Sequence, residues 1–353
     1  MALVEQPALI SEVHVVADEA EASTYCAALG WTDGLPVIAP TAERVRACLE
    51  WTGGDPTQIL GVEPVRGRVL TAEKVAVNAV MAGCQPRHFP VVAAAVDAMC
   101  RAEFLLHGAT ASTGGCAVMI VVNGPVAAEL GMTGTFDALG TGDEAGNAIG
   151  RAVRLVLRNL LDVRPGQADR STLGHPGKLS WCLAEDEAAS PWLSLAESRG
   201  IPPGTPAVTV FAAGAPRQIM NEWTTEPTEV LETFAAEMRA NMLHYSIWGG
   251  NYAIVLPPQL RSVLAGAGWG RDDIAEHLHA RARVERGDWD AVGKGAVVDP
   301  SNRAESYSAL TSPDDLLVIA AGGPAGGFGA VIPPWFGHKS RAVTVPVGAC
   351  VDC

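Results

Sequence analysis

Val118-Met119-Ile120-Val121-Val122 runs without a polar side chain and stops at Asn123-Gly124-Pro125. Three more segments follow the same pattern. Val208–Ala213 stops at Gly214-Ala215-Pro216, Tyr252–Leu256 at Pro257-Pro258, and Leu316–Ala321 at Gly322-Gly323-Pro324. Short apolar runs bounded by turn residues and followed by helical stretches read as strands buried on both faces. These four segments predict an α/β fold, with mixed or parallel sheets flanked by helices. In open sheets of this kind the ligand crevice lies where such strands end.

Helical stretches are predicted at Ser11–Gly30, from Thr41 as N-cap, from Thr71 to Cys84, at Pro90–Met99, Asn147–Leu161, Ala188–Gly200, 226–243, 258–266 and up to Arg286. Ile201-Pro202-Pro203-Gly204 is a natural break. It divides the chain into a larger α/β domain, 1–200, and a smaller doubly wound, Rossmann-like domain, 201–353. The second domain carries the glycine loop and a Cys-x-x-Cys terminus.

The 353 residues suffice for one large or two medium domains, and 48% apolar content against 18% charged leaves surface for a large core and a subunit interface. A net charge of −14 argues against nucleic acid, which needs a basic face. No apolar run reaches the ~20 residues that span a bilayer, and Met1–Gln6 lacks the features of a secretory leader. A cytoplasmic protein with mostly reduced cysteines is expected. Expected partners are a small-molecule substrate, further copies of the chain and a small redox protein.

Several groups carry candidate chemistry. Gly174-His175-Pro176-Gly177-Lys178-Leu179-Ser180-Trp181-Cys182 gathers imidazole, ammonium, hydroxyl and thiol in one loop-like segment, ahead of Glu185-Asp186-Glu187. A lysine beside a cysteine favours the thiolate. Cys84 and Cys182 are the nucleophile or ligand candidates, and His107 and His175 the acid–base candidates. His107 precedes Ser112-Thr113-Gly114-Gly115-Cys116, which adds hydroxyls and a thiol. Asn78, Asn147, Arg151 and Lys178 would orient and neutralise an anionic substrate, and Arg154 and Arg158 share the helix of Arg151. Gly323 and Gly326 would let a substrate approach the backbone; their loop has neither a dinucleotide nor a P-loop spacing. Cys84, His88, Cys350 and Cys353 together would give a Cys3His site for zinc or another soft divalent metal. Cys26, Cys48 and Cys100 read as small buried apolar residues.

In order along the chain stand Gly30-Trp31-Thr32-Asp33-Gly34-Leu35-Pro36-Val37, Asn78–Cys84, Val122–Pro125, Asn147–Arg151, Gly174–Lys178 and Ala188–Trp192. The series resembles the large bacterial proteins grouped with the UGSC (seleno)proteins. The likeness covers most of residues 30–195 and, more loosely, 205–347. The selenocysteine/cysteine–Gly–Ser–Cys motif that names the group is absent: neither Gly114-Gly115-Cys116 nor Cys350–Cys353 matches it. The resemblance implies thiol redox chemistry.

The expectation is an enzyme, a thiol-dependent oxidoreductase or transferase, acting on a small polar or anionic molecule through cysteine chemistry. Two alternatives stay open: a metal-dependent lyase, hydratase or hydrolase, and a non-catalytic interaction subunit of a redox complex.

Overall fold

The computed structural model describes residues 7–245, 249–295, 304–336 and 338–348. The chain begins as an extended arm. Two backbone N–H groups, of Ile10 and Ser11, donate to the two carboxylate oxygens of the buried Glu73 at 2.7 Å each. The arm therefore stays out of helix, and the first helix is shorter than expected: α1 is Glu19–Ala28, N-capped by Asp18. Helix α2 (Ala42–Leu49) starts at the Thr41 cap. A hairpin, β1 (Ile59–Glu63) and β2 (Arg68–Thr71), leads to α3 (Ala72–Ala82) and α4 (Phe89–Cys100).

After α5 (Leu106–Ala111) come β3 (Ala117–Asn123), α6 (Pro125–Glu129), the long α7 (Glu144–Leu160), β4 (Cys182–Ala184) and the single turn α8 (Leu195–Ser198). The helix expected over 188–200 thus shrinks to its last turn, because Pro191 interrupts it and the Ser194–Glu197 capping box starts it late. The rest comprises β5 (Ala207–Ala213), β6 (Arg217–Met220), α9 (Pro227–His244), β7 (Tyr252–Leu256), α10 (Pro258–Gly266) and α11 (Arg271–Arg281). A short pair, β8 (Arg283–Glu285) with β9 (Ser306–Ser308), flanks α12 (Arg286–Ala291). Then β10 (Leu316–Ala320), β11 (Phe328–Ile332) and β12 (Val343–Pro346) complete the described chain.

All four apolar runs are strands, and they divide between two four-stranded mixed sheets, ordered β12-β5-β3-β4 and β10-β7-β11-β6. Strand β5, expected to open the C-terminal strand–helix–strand unit, instead pairs antiparallel with β3 across seven residues, Ala117↔Ala213 to Asn123↔Ala207. Strand β12 pairs with β5 in turn. The first sheet therefore draws strands from both sides of residue 200.

The alternation of side chains shows why these runs are apolar throughout. Ile120, Val122, Val208, Val210 and Ala212 face the core shared with α2, α3, α4 and α7. Met119, Val121, Trp181, Leu183 and Phe211 face the other way, against Val255, Leu317, Ile319 and Ile332 of the second sheet. Tyr252, Ile254, Leu256 and Val318 then point out to α9, α10 and α11. The layers run helix, sheet, sheet, helix. Every central strand is covered on both faces, so no polar alternation survives in its sequence.

Glu185 and Asp186 tie the two sheets together. Glu185 N–H donates to Val122 O in the first sheet, and Ala320 N–H of the second donates back to Glu185 Oε1 at 2.9 Å. Asp186 N–H donates to Ala320 O, and the Asp186 carboxylate pairs with the buried Arg261 at 2.7 Å. The acidic run that follows the polar segment is thus an inter-sheet clasp.

Candidate functional site

Helix α7 is the spine of the site. Asp143 caps it, accepting from Gly146 N–H at 2.6 Å. Gly146 and Gly150 lie one turn apart on the side facing the start of β4. A Cβ on Gly146 would come 2.7 Å from Cys182 O; one on Gly150 would come 2.5 Å from Trp181 N and also strike Ser180 Oγ. Only glycine lets the helix lie this close to residues 180–182. The Ser180 hydroxyl donates to Asn147 O at 2.8 Å across the contact.

The segment after α7 folds back on the helix around Asp169. Lys178 Nζ lies 2.8 Å from Asp169 Oδ2 and 3.0 Å from Oδ1, and 2.6 Å from Ser171 Oγ. The Ser171 hydroxyl and N–H both reach Asp169 Oδ1. Arg154 approaches the same carboxylate at 3.5 Å. Burial pushes the Asp169 carboxyl up, but the hydrogen bonds from Lys178 and Ser171 outweigh it and hold the group below the ordinary aspartate value. Lys178 and Arg154, with the Cys116 thiol and Thr110, line a cleft walled by Ala109, Val118, Val153, Leu157 and Val163. It lies at the N-terminal ends of β3 and β4, where β5 ends, the opposite end of β3 from the Asn123-Gly124-Pro125 loop at which the sequence pattern places a crevice.

Cys116 is the thiol that shares the cleft with Lys178. Burial pushes it up to about 12, against the pull of the Lys178 charge, and its Sγ–H donates to Ala109 O at 3.1 Å. Cys182 belongs elsewhere. It packs with the helix-facing core that holds Cys84, and burial, then Asp143, raise its thiol well above the ordinary value. The sequence pairing of Lys178 with Cys182 fails. Three residues, Leu179, Ser180 and Trp181, separate Lys178 from Cys182, and they carry the chain from the Pro176–Lys178 turn into β4, where Cys182 faces the helix-covered core while Lys178 lines the cleft. Cys116 gave a signal in the Gly114-Gly115-Cys116 turn, but only the fold brings it to Lys178.

His175 backs onto this cluster. Its Nε2 lies 3.2 Å from Ala213 O. A carbonyl only accepts, so Nε2 carries the proton and Nδ1 is the bare acceptor. That Nδ1 is buried without a hydrogen-bond partner, as is Nε1 of Trp181, whose ring meets His175 edge-on at 5.4 Å. Burial, then the Lys178 charge, hold the imidazole below its ordinary pKa, against the Ala213 bond, so it is neutral at pH 7.

The motif Gly30–Val37 docks on the same helix. Arg151 Nε and Nη2 each donate to Asp33 at 2.9 Å, and Nη2 also reaches Pro36 O at 2.9 Å. Asn159 Nδ2 lies 2.8 Å from Trp31 O and 2.7 Å from Asn78 Oδ1. Asn147 is bound within its own helix, to Asp143 O. Arg151, Arg154, Asn159, Asn78, Asp169, His175 and Lys178 therefore gather along α7.

Other candidates lie apart. His107, on α5, faces Glu63 of β1 at 3.9 Å. Gly323 is closed by the Phe136 ring, and Gly326 by Glu222 and Phe328; Gly327 N–H already donates to Glu222 Oε1 at 2.8 Å. Their loop turns from β10 into β11. Cys84 lines a separate groove with Cys48 between α1, α2 and α3. Buried His88 uses Nδ1 to accept from Gln85 N–H at 3.2 Å. Cys350 and Cys353 fall outside the described residues, and among those described no three His, Cys, Asp or Glu side chains gather as a metal-binding group. Among the described residues, no helix is long and apolar enough to cross a membrane.

No protein-family model matches the chain, and no curated protein matches it.

Proposed function

We propose that the chain is an enzyme acting on a small polar or anionic molecule in the cleft between α7 and the start of β3. The carrying observation is one partly buried cleft lined by a thiol, Cys116, and two cations, Lys178 and Arg154. Apolar walls with a few fixed polar groups are the usual lining of a small-molecule site. At about 20 Å³ the cleft has room for about one water molecule, so it takes the reacting group of a ligand and not the whole of it. The two cations favour a negative charge on the ligand. The lysine also favours the thiolate once the Cys116 proton leaves.

This keeps the cysteine reading and moves its centre from Cys182 to Cys116. His175, neutral and with a bare Nδ1, is assigned as the proton acceptor of the cluster. Asp169 and Ser171 hold the Lys178 ammonium in place.

The test is a substrate screen. Pools of small carboxylic and phosphorylated compounds are incubated with the protein and followed by mass spectrometry, then repeated with Cys116→Ser. Serine retains a donor for Ala109 O, so the fold is expected to survive. Conversion by the natural protein and not by Cys116→Ser supports the reading; equal conversion by both contradicts it.

A further inference from the structure

Arg151, Arg154 and Arg158 recur at spacings of three and four, on one face of α7. Two of them are matched, Arg151 by Asp33 at 2.9 Å and Arg154 by Asp169 at 3.5 Å. Arg158 has no carboxylate partner among the described residues. Arg164, just past the helix, reaches Asp162 only at 3.9 Å, and that carboxylate is held by Arg68 at 2.8 Å. Nε of Arg158 and Nε of Arg164 are both buried without a hydrogen bond.

The local charge does not balance. Arg68, Arg151, Arg154, Arg158, Arg164 and Lys178 are six cations against three carboxylates, Asp33, Asp162 and Asp169, an excess of three. The chain as a whole carries −14. Burial, then repulsion from Arg164 and Arg154, hold the Arg158 guanidinium below its ordinary pKa. A buried N–H left unbonded and a cation left unpaired are both costly. An oxyanion taken between two guanidinium forks relieves both.

The site is also firmly built. Arg164 Nη1 would lie 2.9 Å from a Cβ on Gly30, where φ is +72°, so only glycine fits that turn. Asn159, next to Arg158, is fixed by its bonds to Trp31 O and Asn78 Oδ1.

We infer that Arg158 and Arg164, beside the Gly30–Asp33 turn, form an anion-binding position for the carboxylate or phosphate group of a small molecule. This deepens the proposed function by naming the group through which its ligand is held, and it rests on that reading only for the chemistry next door. Arg154 stands between the two places: it lines the Cys116 cleft, and its charge acts on Arg158.

The experiment is calorimetric titration of the full chain with inorganic phosphate and, separately, with succinate, at ionic strength fixed by chloride. Saturable binding of at least one is expected, and the stronger of the two names the group. Arg158→Gln and Arg164→Gln should each weaken it about tenfold or more, the worth of a charge-assisted bond. Arg44→Gln, which alters an exposed pair with Glu19 elsewhere, should leave it unchanged. No binding of either anion, or equal binding by all three variants, overturns the inference. Should Arg158→Gln fail to fold, Arg158→Lys retains the charge without the fork; weaker binding supports the site and undiminished binding overturns it.

The double variant Asp169→Asn, Lys178→Met separates this site from the proposed function. Anion binding with turnover that survives the double variant overturns the cleft alone. Turnover lost in the double variant, with no anion binding by the natural protein, overturns the arginine site alone.

Discussion

Arg151 and Asp33 form a two-pronged ion pair across 118 residues of sequence, with Nε and Nη2 each 2.9 Å from a carboxylate oxygen. The pair pins the Gly30–Val37 turn to the helix that carries the candidate site. Both side chains are mostly buried, 16% and 8% exposed.

Arg151→Met should therefore cost more than a surface pair would. It leaves Asp33 buried and uncompensated, a loss of about 3–5 kcal/mol. Adding Asp33→Asn should recover part of it, which chemical denaturation of the single and double variants measures. There is a pH consequence. Burial pushes Asp33 up, yet the Arg151 hydrogen bonds and charge prevail and hold it below 3.8. A depressed carboxyl contributes stability that is present above its unfolded pKa and lost as pH falls through the folded one. The acid midpoint of Arg151→Met should thus lie at higher pH than that of the natural protein.

Glu185 accepts from Asn123 Nδ2, Leu195 N–H and Ala320 N–H, and pairs with Arg271. Glu185→Gln replaces one acceptor oxygen with a donor that faces donors. A loss of about 3–5 kcal/mol in unfolding free energy is expected. Unchanged denaturation would show that the clasp does not hold the sheets.

Gly150→Ala should separate α7 from residues 180–182, since the new methyl would meet Trp181 N and Ser180 Oγ. The expected cost is about 1–3 kcal/mol, read as a lower melting temperature. A more stable variant, as helix propensity alone would give, contradicts the close packing.

Burial pushes the thiols of Cys48, Cys100 and Cys116 up to about 11, about 12 and about 12. In the unfolded chain they ionise near about 8.5. The unfolded state thus loses protons first as pH rises, and stability should fall from that point upward through the folded values. Native alkylation by iodoacetamide should be slow at neutral pH for Cys48 and Cys100, which lie outside the proposed site. Fast labelling of either of them at pH 7 would contradict the packing described.

The strands were legible in the sequence because burial on both faces leaves uninterrupted apolar runs, as in Val118–Val122 and Tyr252–Leu256. What the runs could not show is which strand pairs with which. Strand β5 joins β3 through contacts across about 90 residues, and nothing in Val208–Ala213 itself records the partner. Strands β4 and β11 were missed for a related reason: one is three residues long, and the other begins inside the glycine loop, where local composition favours a turn. The N-terminal arm reads as helix by composition and is extended because a distant carboxylate, Glu73, captures its N–H groups. For the site, His175 and Lys178 stood out as a polar cluster in a Gly/Pro-rich segment. Asp169 and Ser171 did not, and Cys116, visible in its Gly114-Gly115-Cys116 turn, could not be joined to Lys178, since their part depends on how that segment folds back over α7.

The Lys178 network serves either chemistry or the fold. Lys178→Met alone would confuse the two, because it strands a buried Asp169. The double variant Asp169→Asn, Lys178→Met removes both charges together, and replacing a buried pair whole is often close to neutral for stability. The decisive measurement is turnover of the substrate found by the screen, taken with the melting temperature of the same double variant. A melting temperature near that of the natural protein with turnover lost is the expected result; a folded double variant that turns over at the natural rate would contradict the assignment of the site.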